Sequence, residues 1–394
     1  MLRAQPQHVG EWVLTAFGPG DLGASTQPLP LAATGCSRLP RGFPLMGGGE
    51  AVLLGGAARP APGVQMPERQ NGGMTLHCAV LDDYQGAALT LADWSPLAGR
   101  VDVRTLRENI TDRDKLVEEL ADCEIVVAMR ERTPFDADLL RRLPRLRLLV
   151  TTGMRNASID LAAATAQGVT VCGTGSSSTP PVELTWALLL GLARHVTAEN
   201  RALREGGPWQ STVGQDLHGR TLGLLGLGKI GTRVARVATA FGMEVLAWSE
   251  NLTAERATEA GAQLTHGKED LLRRSDFVSI HLVLSDRTRG LLGEPELRAM
   301  RPHAHLINTS RAAIVDRTAL LRALREGWIA GAGLDVFETE PLPADDPLRS
   351  RPNVLATPHL GYVTERNYRT FYTEAVEDIT AFLAGTPVRR LTGG

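Results

Sequence analysis

Short apolar runs alternate with longer amphipathic stretches along most of the chain, beginning at Met74. Apolar runs of about four to eight residues between turn residues are typical of buried strands, and the amphipathic stretches are typical of crossover helices. The alternation predicts an α/β fold with parallel sheets. The predicted strands are Leu76–Leu81, Ile125–Met129, Leu146–Thr151, Val169–Cys172, Thr221–Leu225, Met243–Trp248, Phe277–Leu282, Ala304–Ile307 and Gly333–Val336.

The predicted helices divide these strands into two α/β units. Arg113–Leu120 and Ala137–Leu143 are crossovers in the first unit. Pro180 and Pro181 open a longer helix, Val182–Arg204, because proline is favoured in a first helical turn, and this helix leads into the second unit. The stretch Thr364–Ala384 has an apolar face and is predicted to return to the first unit.

The first 73 residues differ in composition from the rest, because they contain 14 of the 41 glycines and 9 of the 23 prolines. Such a segment, without an apolar period, buries too little surface to offset the chain entropy lost on ordering. We therefore predict a disordered extension over residues 1–73. It lacks the basic start, the apolar middle and the small-residue cleavage site of a secretion signal. The alternative is a start codon assigned too far upstream, since Met74 directly precedes the first predicted strand.

Composition and charge favour a small-molecule ligand. The 394 residues are 43% hydrophobic and 22% charged, with a formal net charge of −2. This balance offers no basic field for nucleic acid or a membrane surface, and the most apolar stretch, Trp186–Ala193, is far shorter than the roughly 20 residues of a spanning helix. The four cysteines are widely spaced, which favours neither a zinc site nor a disulfide framework and suggests a cytoplasmic location.

A glycine-rich turn separates the strand Thr221–Leu225 from a predicted helix, Thr232–Phe241. Its G-x-G-x-x-G spacing between strand and helix is typical of a dinucleotide site in a Rossmann-like sheet. The first glycine permits a tight turn, the second lets the backbone approach a pyrophosphate, and the third lets helix and strand pack closely. The helix N-terminus then offers free amides to the phosphates. The predicted cofactor site comprises Gly226, Gly228, Lys229, Ile230 and Gly231.

The end of the next strand bears on which nicotinamide cofactor binds. An acid about 20 residues past the first glycine holds the ribose 2′-hydroxyl of NAD, but that position falls at Ser249, with Glu250 beside it. Glu250 could bind the ribose 2′-hydroxyl of NAD. Alternatively, Ser249 and Asn251, together with Arg256, could accept the extra phosphate of NADP. We favour NAD and leave NADP open.

Three polar segments follow predicted strands in the second unit, where ligands of parallel sheets bind. They are Asn308–Ala312, Leu334–Pro341 and Thr357–Gly361. With the dinucleotide turn, their N-x-x-R, L-D-V-F-E-x-E-P and T-P-H-x-G patterns resemble the signatures of the D-isomer-specific 2-hydroxyacid dehydrogenase family. The resemblance spans about Leu76 to Leu391.

The resemblance implies two doubly wound parallel-sheet domains, flavodoxin-like and Rossmann-like, with an active-site cleft between them. The substrate domain would comprise residues 74–175 and 362–391, and the NAD(P)-binding domain residues 176–361. The resemblance also implies a homodimer, formed through the apolar face of the helix after Pro181.

Arg311, Glu340 and His359 are the predicted catalytic residues. Oxidising a 2-hydroxy acid removes a hydroxyl proton as a hydride leaves the same carbon, so a base that works near neutral pH is needed. The imidazole of His359 suits that task, and a carboxylate from Glu340 would stabilise the imidazolium. Arg311 presents a planar fork of donors that matches a carboxylate and can polarise the reacting carbonyl.

Further site residues are predicted from the same resemblance. Leu282, Thr309, Asp335 and Gly361 are expected to contact the cofactor, with Asp335 holding the nicotinamide carboxamide. The alternative for Asp335 is a role as a turn cap.

The expected substrate-carboxylate loop departs from the family pattern. Family members usually have G-x-G-x-D-N, whereas residues 152–158 read Thr-Gly-Met-Arg-Asn-Ala-Ser. Met154 and Arg155 are predicted to contact the substrate, and Arg155 is hypothesised to bind a second anionic or polar group on it; the alternative is that Arg155 points to solvent. Val283 replaces a proline common in another family loop, with a small expected effect.

Two other kinds of function fit much of this sequence pattern. Corepressors with this fold sense NAD(H) without catalysis, and formate and phosphite dehydrogenases share much of the pattern; the intact triad favours a 2-hydroxyacid dehydrogenase.

His303 and His305 are predicted to share one face of a strand. Without a third ligand nearby, packing is favoured over a metal site.

Overall fold

The computed structural model describes residues 75–392 and, nearer the N-terminus, the strands β1 (Leu2–Pro6) and β2 (Trp12–Ala16). These two strands pair antiparallel, with Leu2 opposite Ala16, and the sequence pattern did not indicate them. The predicted disordered extension otherwise lies outside the described residues.

The first large sheet has five parallel strands in the order β4-β3-β5-β6-β7. This is the doubly wound order of flavodoxin-like folds. The edge strand β4 was not predicted. The strands are β3 (Leu76–Val80), β4 (Val101–Thr105), β5 (Ile125–Ala128), β6 (Leu148–Thr151) and β7 (Thr170–Gly173), and the helices are α1 (Ala88–Leu91), α2 (Arg113–Leu120), α3 (Ala137–Arg142) and α4 (Leu161–Ala166).

The second sheet has seven parallel strands in the order β10-β9-β8-β11-β12-β13-β14. Its first six positions follow the Rossmann order, so the two sheets confirm the predicted fold class. The strands are β8 (Thr221–Leu225), β9 (Glu244–Trp248), β10 (Gln263–Leu264), β11 (Phe277–Ile280), β12 (His305–Asn308), β13 (Gly331–Leu334) and β14 (Val354–Ala356), and the helices are α5 (Thr179–Ala193), α6 (Val196–Arg204), α7 (Lys229–Ala240), α8 (Ala254–Glu259), α9 (Lys268–Arg274), α10 (Glu294–Ala299), α11 (Arg317–Glu326), α12 (Pro347–Ser350) and α13 (Glu365–Leu383).

The single helix predicted over Val182–Arg204 is wrong, because the chain breaks it between α5 and α6. His195 adopts a left-handed backbone with φ of 51° at the break. The prediction that the apolar face of this helix is available for dimerisation is also wrong for α5. Trp186 and Leu188 of α5 pack inside the chain against the second sheet, so they offer no free surface.

Each sheet is covered on both faces by helices, which is why its central strands are predominantly apolar. α5 and α7 pack on one face of the second sheet, and α9, α10 and α11 pack on the other. α13 packs on the first sheet, where Phe371, Tyr372 and Ile379 are fully buried with strand residues. The last long helix therefore returns to the first sheet. Within the described ranges, no helix combines the length and the hydrophobicity needed to cross a bilayer.

Candidate active site

The glycine turn after β8 forms a compact cradle at the point where the strand order reverses. Gly226 has φ of +99°, and a β-carbon there would lie 2.8 Å from the carbonyl oxygen of His281. A β-carbon at Gly231 would collide with the carbonyl oxygen of Gly226. A β-carbon at Gly228 would meet nothing within 4 Å, so open space faces this residue. Two glycines are thus required by packing, and the third faces space that a ligand can use.

The N-terminus of α7 faces the same space. α7 starts at Lys229, and its N-cap, Gly228, has no side chain to bond the first amides. The first amide of the helix with a backbone partner is that of Thr232, which donates to the carbonyl of Gly228. Within the described residues the amides of Lys229, Ile230 and Gly231 have no acceptor. Free amides at the positive end of a helix dipole fit the pyrophosphate of a dinucleotide.

Ser249 and Glu250 lie next to this cradle. Leu225 is in register with Trp248, and the amide of Gly226 donates to the carbonyl of Trp248 at 2.9 Å. Ser249, the next residue, is half-buried at the carboxyl end of β9, and Glu250 is exposed. Their contact with an adenosine ribose stays a prediction.

The loop that carries His359 is held by Asp335, the residue directly after β13. One oxygen of this buried carboxylate accepts hydrogen bonds from the hydroxyl of Thr357 and the amide of Leu360, both at 2.7 Å. The other accepts from the amide of Gly361 at 2.8 Å. Burial raises the pKa of Asp335, and these donors only partly oppose it. Asp335 therefore caps the loop, which was the alternative considered for it, and the carboxamide contact stays a prediction.

His359 and Glu340 form a short hydrogen bond. The Nδ1 atom of His359 lies 2.6 Å from Oε2 of Glu340, and the amide of Phe337 donates to Oε1 of Glu340 at 2.9 Å. Burial raises the pKa of Glu340, but the hydrogen bond and charge of His359 outweigh it, so this pKa lies below the usual value. The ionised carboxylate can only accept, which assigns the hydrogen to Nδ1 and leaves Nε2 to exchange a proton with a ligand.

Arg311 follows β12 in a turn shaped by the side chain of Asn308. The amide oxygen of Asn308 accepts from the backbone of Ser310, and its Nδ2 donates to the carbonyl of Arg311, both at 3.0 Å. The guanidinium of Arg311 donates from Nη1 to the carbonyl of Ser310 at 2.9 Å and from Nη2 to Glu131 at 3.0 Å. Thr309, in the same turn, contacts the hydroxyl of Thr185 at 2.9 Å. Two loops hold the guanidinium.

The three predicted catalytic residues meet at one cavity. Arg311, Glu340 and His359 line a space of ≈ 500 Å³ together with residues 130–134, which follow β5 of the first sheet. Chain segments from both sheets thus form the cavity wall.

The charged segment Arg130, Glu131 and Arg132 also lines this cavity and was not predicted as part of the site. Nε of Arg132 donates to the hydroxyl of Tyr362 at 2.5 Å, and the Tyr362 ring meets the His359 ring edge-on at 5.4 Å. The sequence feature that could have identified this segment is its run of three charges after a buried strand, at the sheet edge where ligands bind.

Met154 and Arg155 are both exposed, in a loop where Gly153 has φ of +106°. Asn156 supports the loop by donating to the carbonyl of Arg130 at 2.6 Å. In the described chain, the amides of Met154 and Arg155 have no acceptor, and the Arg155 side chain makes no ion pair. The hypothesis that Arg155 binds a second polar group stays a prediction.

The two histidines considered for a metal do not share a strand face. His303 precedes β12 and bonds Asp276 at 2.8 Å, whereas His305 is buried and stacks on Phe277. Burial lowers the pKa of His305 to about 4. No group of three or more metal-ligating side chains occurs in residues 75–392 or the two N-terminal strands.

Comparisons with known proteins show which enzymes the chain is similar to. The family model described as D-isomer specific 2-hydroxyacid dehydrogenase, NAD binding domain, matches residues 186–361. The glyoxylate reductase of Aeropyrum pernix is 43% identical over 259 residues, which cover 64% of this chain and 77% of that protein. The D-3-phosphoglycerate dehydrogenase of Methanocaldococcus jannaschii is 34% identical, over 69% of this chain and 52% of its own. A crystal structure of a phosphoglycerate oxidoreductase from Vibrio cholerae superposes with a TM-score of 0.76 at 38% identity, covering 79% of this chain and 100% of that one.

Proposed function

Because the chain belongs to the D-isomer-specific 2-hydroxyacid dehydrogenase family, we propose that it interconverts a 2-oxo acid and its D-2-hydroxy acid at the cavity lined by Arg311, Glu340 and His359. Membership makes it an NAD(P)-dependent oxidoreductase that acts on CH–OH donors. The observation that carries the site assignment is the 2.6 Å bond between His359 and Glu340 at a cavity that also contains Arg311.

Arg311 binds and orients the substrate. Its fork matches the carboxylate of a 2-oxo acid, and its charge polarises the neighbouring carbonyl towards the alkoxide that forms during reduction. The unpaired amides of Met154 and Arg155 offer further donors for the same carboxylate. Two sets of donors fix the position of the reacting carbon, which is the main contribution of a protein to such a reaction.

His359 moves the proton. In the reducing direction Nε2 donates to the carbonyl oxygen of the substrate, and in the oxidising direction the same atom accepts the hydroxyl proton. Glu340 stabilises the imidazolium and fixes the ring orientation through Nδ1. Asp335 holds the backbone around His359, so the ring is presented by a fixed loop.

The cofactor is expected over the cradle after β8. The nicotinamide supplies or accepts the hydride when bound. Residues 226–231 would hold the pyrophosphate, and Ser249 and Glu250 the adenosine ribose. Leu282, Thr309, Asp335 and Gly361 lie in the segments that follow β11, β12, β13 and β14, respectively, and would contact the nicotinamide half. We propose NAD, since Glu250 offers the carboxylate that a ribose 2′-hydroxyl requires.

The proposed function also implies a division into two domains. We propose residues 74–175 and 362–391 as the substrate domain and residues 176–361 as the nucleotide domain. α13 packs on the first sheet, which supports the discontinuous assignment.

A homodimer is proposed through α6 and the loop after it. Val196, Leu203, Trp209 and Val213 are exposed there, Trp209 at 81%. Neighbouring exposed apolar side chains typically mark a protein interface.

The deciding experiment is a substrate panel. NADH oxidation is followed with glyoxylate and larger 2-oxo acids, and NAD reduction with formate and with phosphite. Turnover with a 2-oxo acid supports the proposal, whereas turnover with formate or phosphite alone assigns the alternative dehydrogenase activity. NADH binding without turnover on any of these compounds supports the non-enzymatic sensor.

A further inference from the structure

The guanidinium that would bind the substrate already has a carboxylate partner. Nη2 of Arg311 lies 3.0 Å from Oε1 of Glu131, although the two residues are 180 positions apart and follow strands of different sheets. Oε2 of the same carboxylate lies 3.9 Å from Nε of Arg130. Glu131 therefore bridges two cations at the wall of the cavity.

Glu131 already occupies part of the guanidinium that a substrate carboxylate would bind. Nη1 of Arg311 donates to the carbonyl of Ser310 and Nη2 donates to Glu131, so each of these nitrogens has one hydrogen in use and one left for a new anion. A carboxylate that binds at Nη2 therefore competes with Glu131 for this nitrogen, and repulsion between the two negative charges favours displacement of Glu131. The displaced Glu131 stays next to Arg130, so its negative charge remains at the cavity.

The other cations of the segment are already engaged. Arg130 faces Glu131. Arg132 donates to the hydroxyl of Tyr362, and its guanidinium lies over the rings of Tyr84 and Tyr362, at 5.2 and 5.5 Å from their centroids. Arg130 lies beside the carboxylate of Glu131, and Arg132 interacts with the charge of Glu340, so each of these arginines already has a negative charge nearby when Arg311 binds the first substrate carboxylate.

We infer that Glu131 is a positioning residue that holds Arg311 until substrate replaces it and selects monocarboxylic 2-oxo acids over those with a second anionic group. The inference rests on the proposed function and specifies its substrate class. It opposes the expectation attached to Arg155, which favours a second anionic group, so the same pair of substrates distinguishes the two.

The test compares glyoxylate with 2-oxoglutarate in the wild type and in Glu131→Gln. Removing the competing charge lowers KM for glyoxylate by about threefold, as expected for one partly exposed ion pair, with kcat nearly unchanged. The kcat/KM for 2-oxoglutarate relative to glyoxylate rises by about tenfold, because like charges at the cavity no longer repel.

Three further variants separate this role from general effects. Glu131→Ala should give the same change as Glu131→Gln, and it replaces Glu131→Gln in the test if the glutamine variant does not fold. Glu131→Asp keeps the negative charge and should restore the wild-type substrate preference in part. Glu338→Gln is the matched control, because Glu338 lines the same cavity but is exposed and makes no ion pair in the described chain. This variant should leave the KM for glyoxylate and the relative kcat/KM for 2-oxoglutarate unchanged.

The outcomes are distinguishable. A wild type without turnover on any 2-oxo acid overturns the proposed function and this inference with it. An active wild type whose preference is unaltered in Glu131→Gln and Glu131→Ala overturns the inference alone, as does a wild type that prefers 2-oxoglutarate. A fall in kcat at unchanged KM would also contradict it, because competition for Arg311 acts on binding.

Discussion

Replacing Glu340 by glutamine removes the negative charge beside His359 while it keeps the length of the side chain. The bond between Oε2 and Nδ1 is 2.6 Å long, and the two side chains are only 20% and 19% exposed, so water screens the pair weakly. A hydrogen bond to a charged group contributes about 1.5–3 kcal/mol. The interaction strengthens when His359 becomes an imidazolium, so most of this energy applies to the proton-transfer step.

The expected result is a fall in kcat/KM of about 10- to 100-fold for 2-oxo acid reduction, since each 1.36 kcal/mol corresponds to about a factor of ten. The assay is initial-rate NADH oxidation, with NADH binding measured in parallel. Glutamine can still accept from the amide of Phe337, so the loop should keep its shape. Glu338→Gln again controls for the loss of one nearby charge. Activity within about twofold of the wild type would refute the role of Glu340, because even the weakest charge-assisted bond predicts more.

Three further predictions concern stability, assembly and cofactor. Asp276→Asn should destabilise the fold by about 2–3 kcal/mol at neutral pH, since its buried carboxylate accepts from the Thr221 amide, Arg301 and His303. These donors outweigh burial and hold the pKa of Asp276 below its usual value, so the stabilisation is present above about pH 4 and is lost as pH falls through that lowered pKa; the difference in Tm between wild type and variant should shrink in acid, and a constant difference would contradict this. Leu203→Asp should shift the protein from dimer to monomer in sedimentation, and a monomeric wild type would refute the proposed interface. NADH should be preferred over NADPH in kinetic competition, and a preference for NADPH above about tenfold would exclude the role given to Glu250.

The parts of the fold that could be predicted are those with a local signal. Central strands such as β8 and β11 are predominantly apolar because both faces are buried, and the glycine turn after β8 has fixed spacing. The edge strand β4 mixes polar and apolar residues, since only part of it is buried, so its pattern resembles a loop. The break at His195 has no glycine or proline to mark it, and the apolar content on both sides predicts one continuous helix.

The candidate site divides in the same way. Arg311 and His359 could be identified because each lies in a short motif after a strand. The pairing of Arg311 with Glu131 could not, because it depends on how the ends of β5 and β12 approach each other across two sheets. Asp335 shows an intermediate case, since its motif indicates a functional position, but its three hydrogen bonds to the loop around His359 require the folded backbone.

The central claim is that His359 exchanges the proton during reduction of a 2-oxo acid, and the most direct measurement is turnover by His359→Ala with the best acid of the panel. We expect the rate of NADH oxidation to fall by about 10²- to 10⁴-fold, the usual contribution of a general acid, while NADH binding is retained. A variant that oxidises NADH at the wild-type rate would contradict the account.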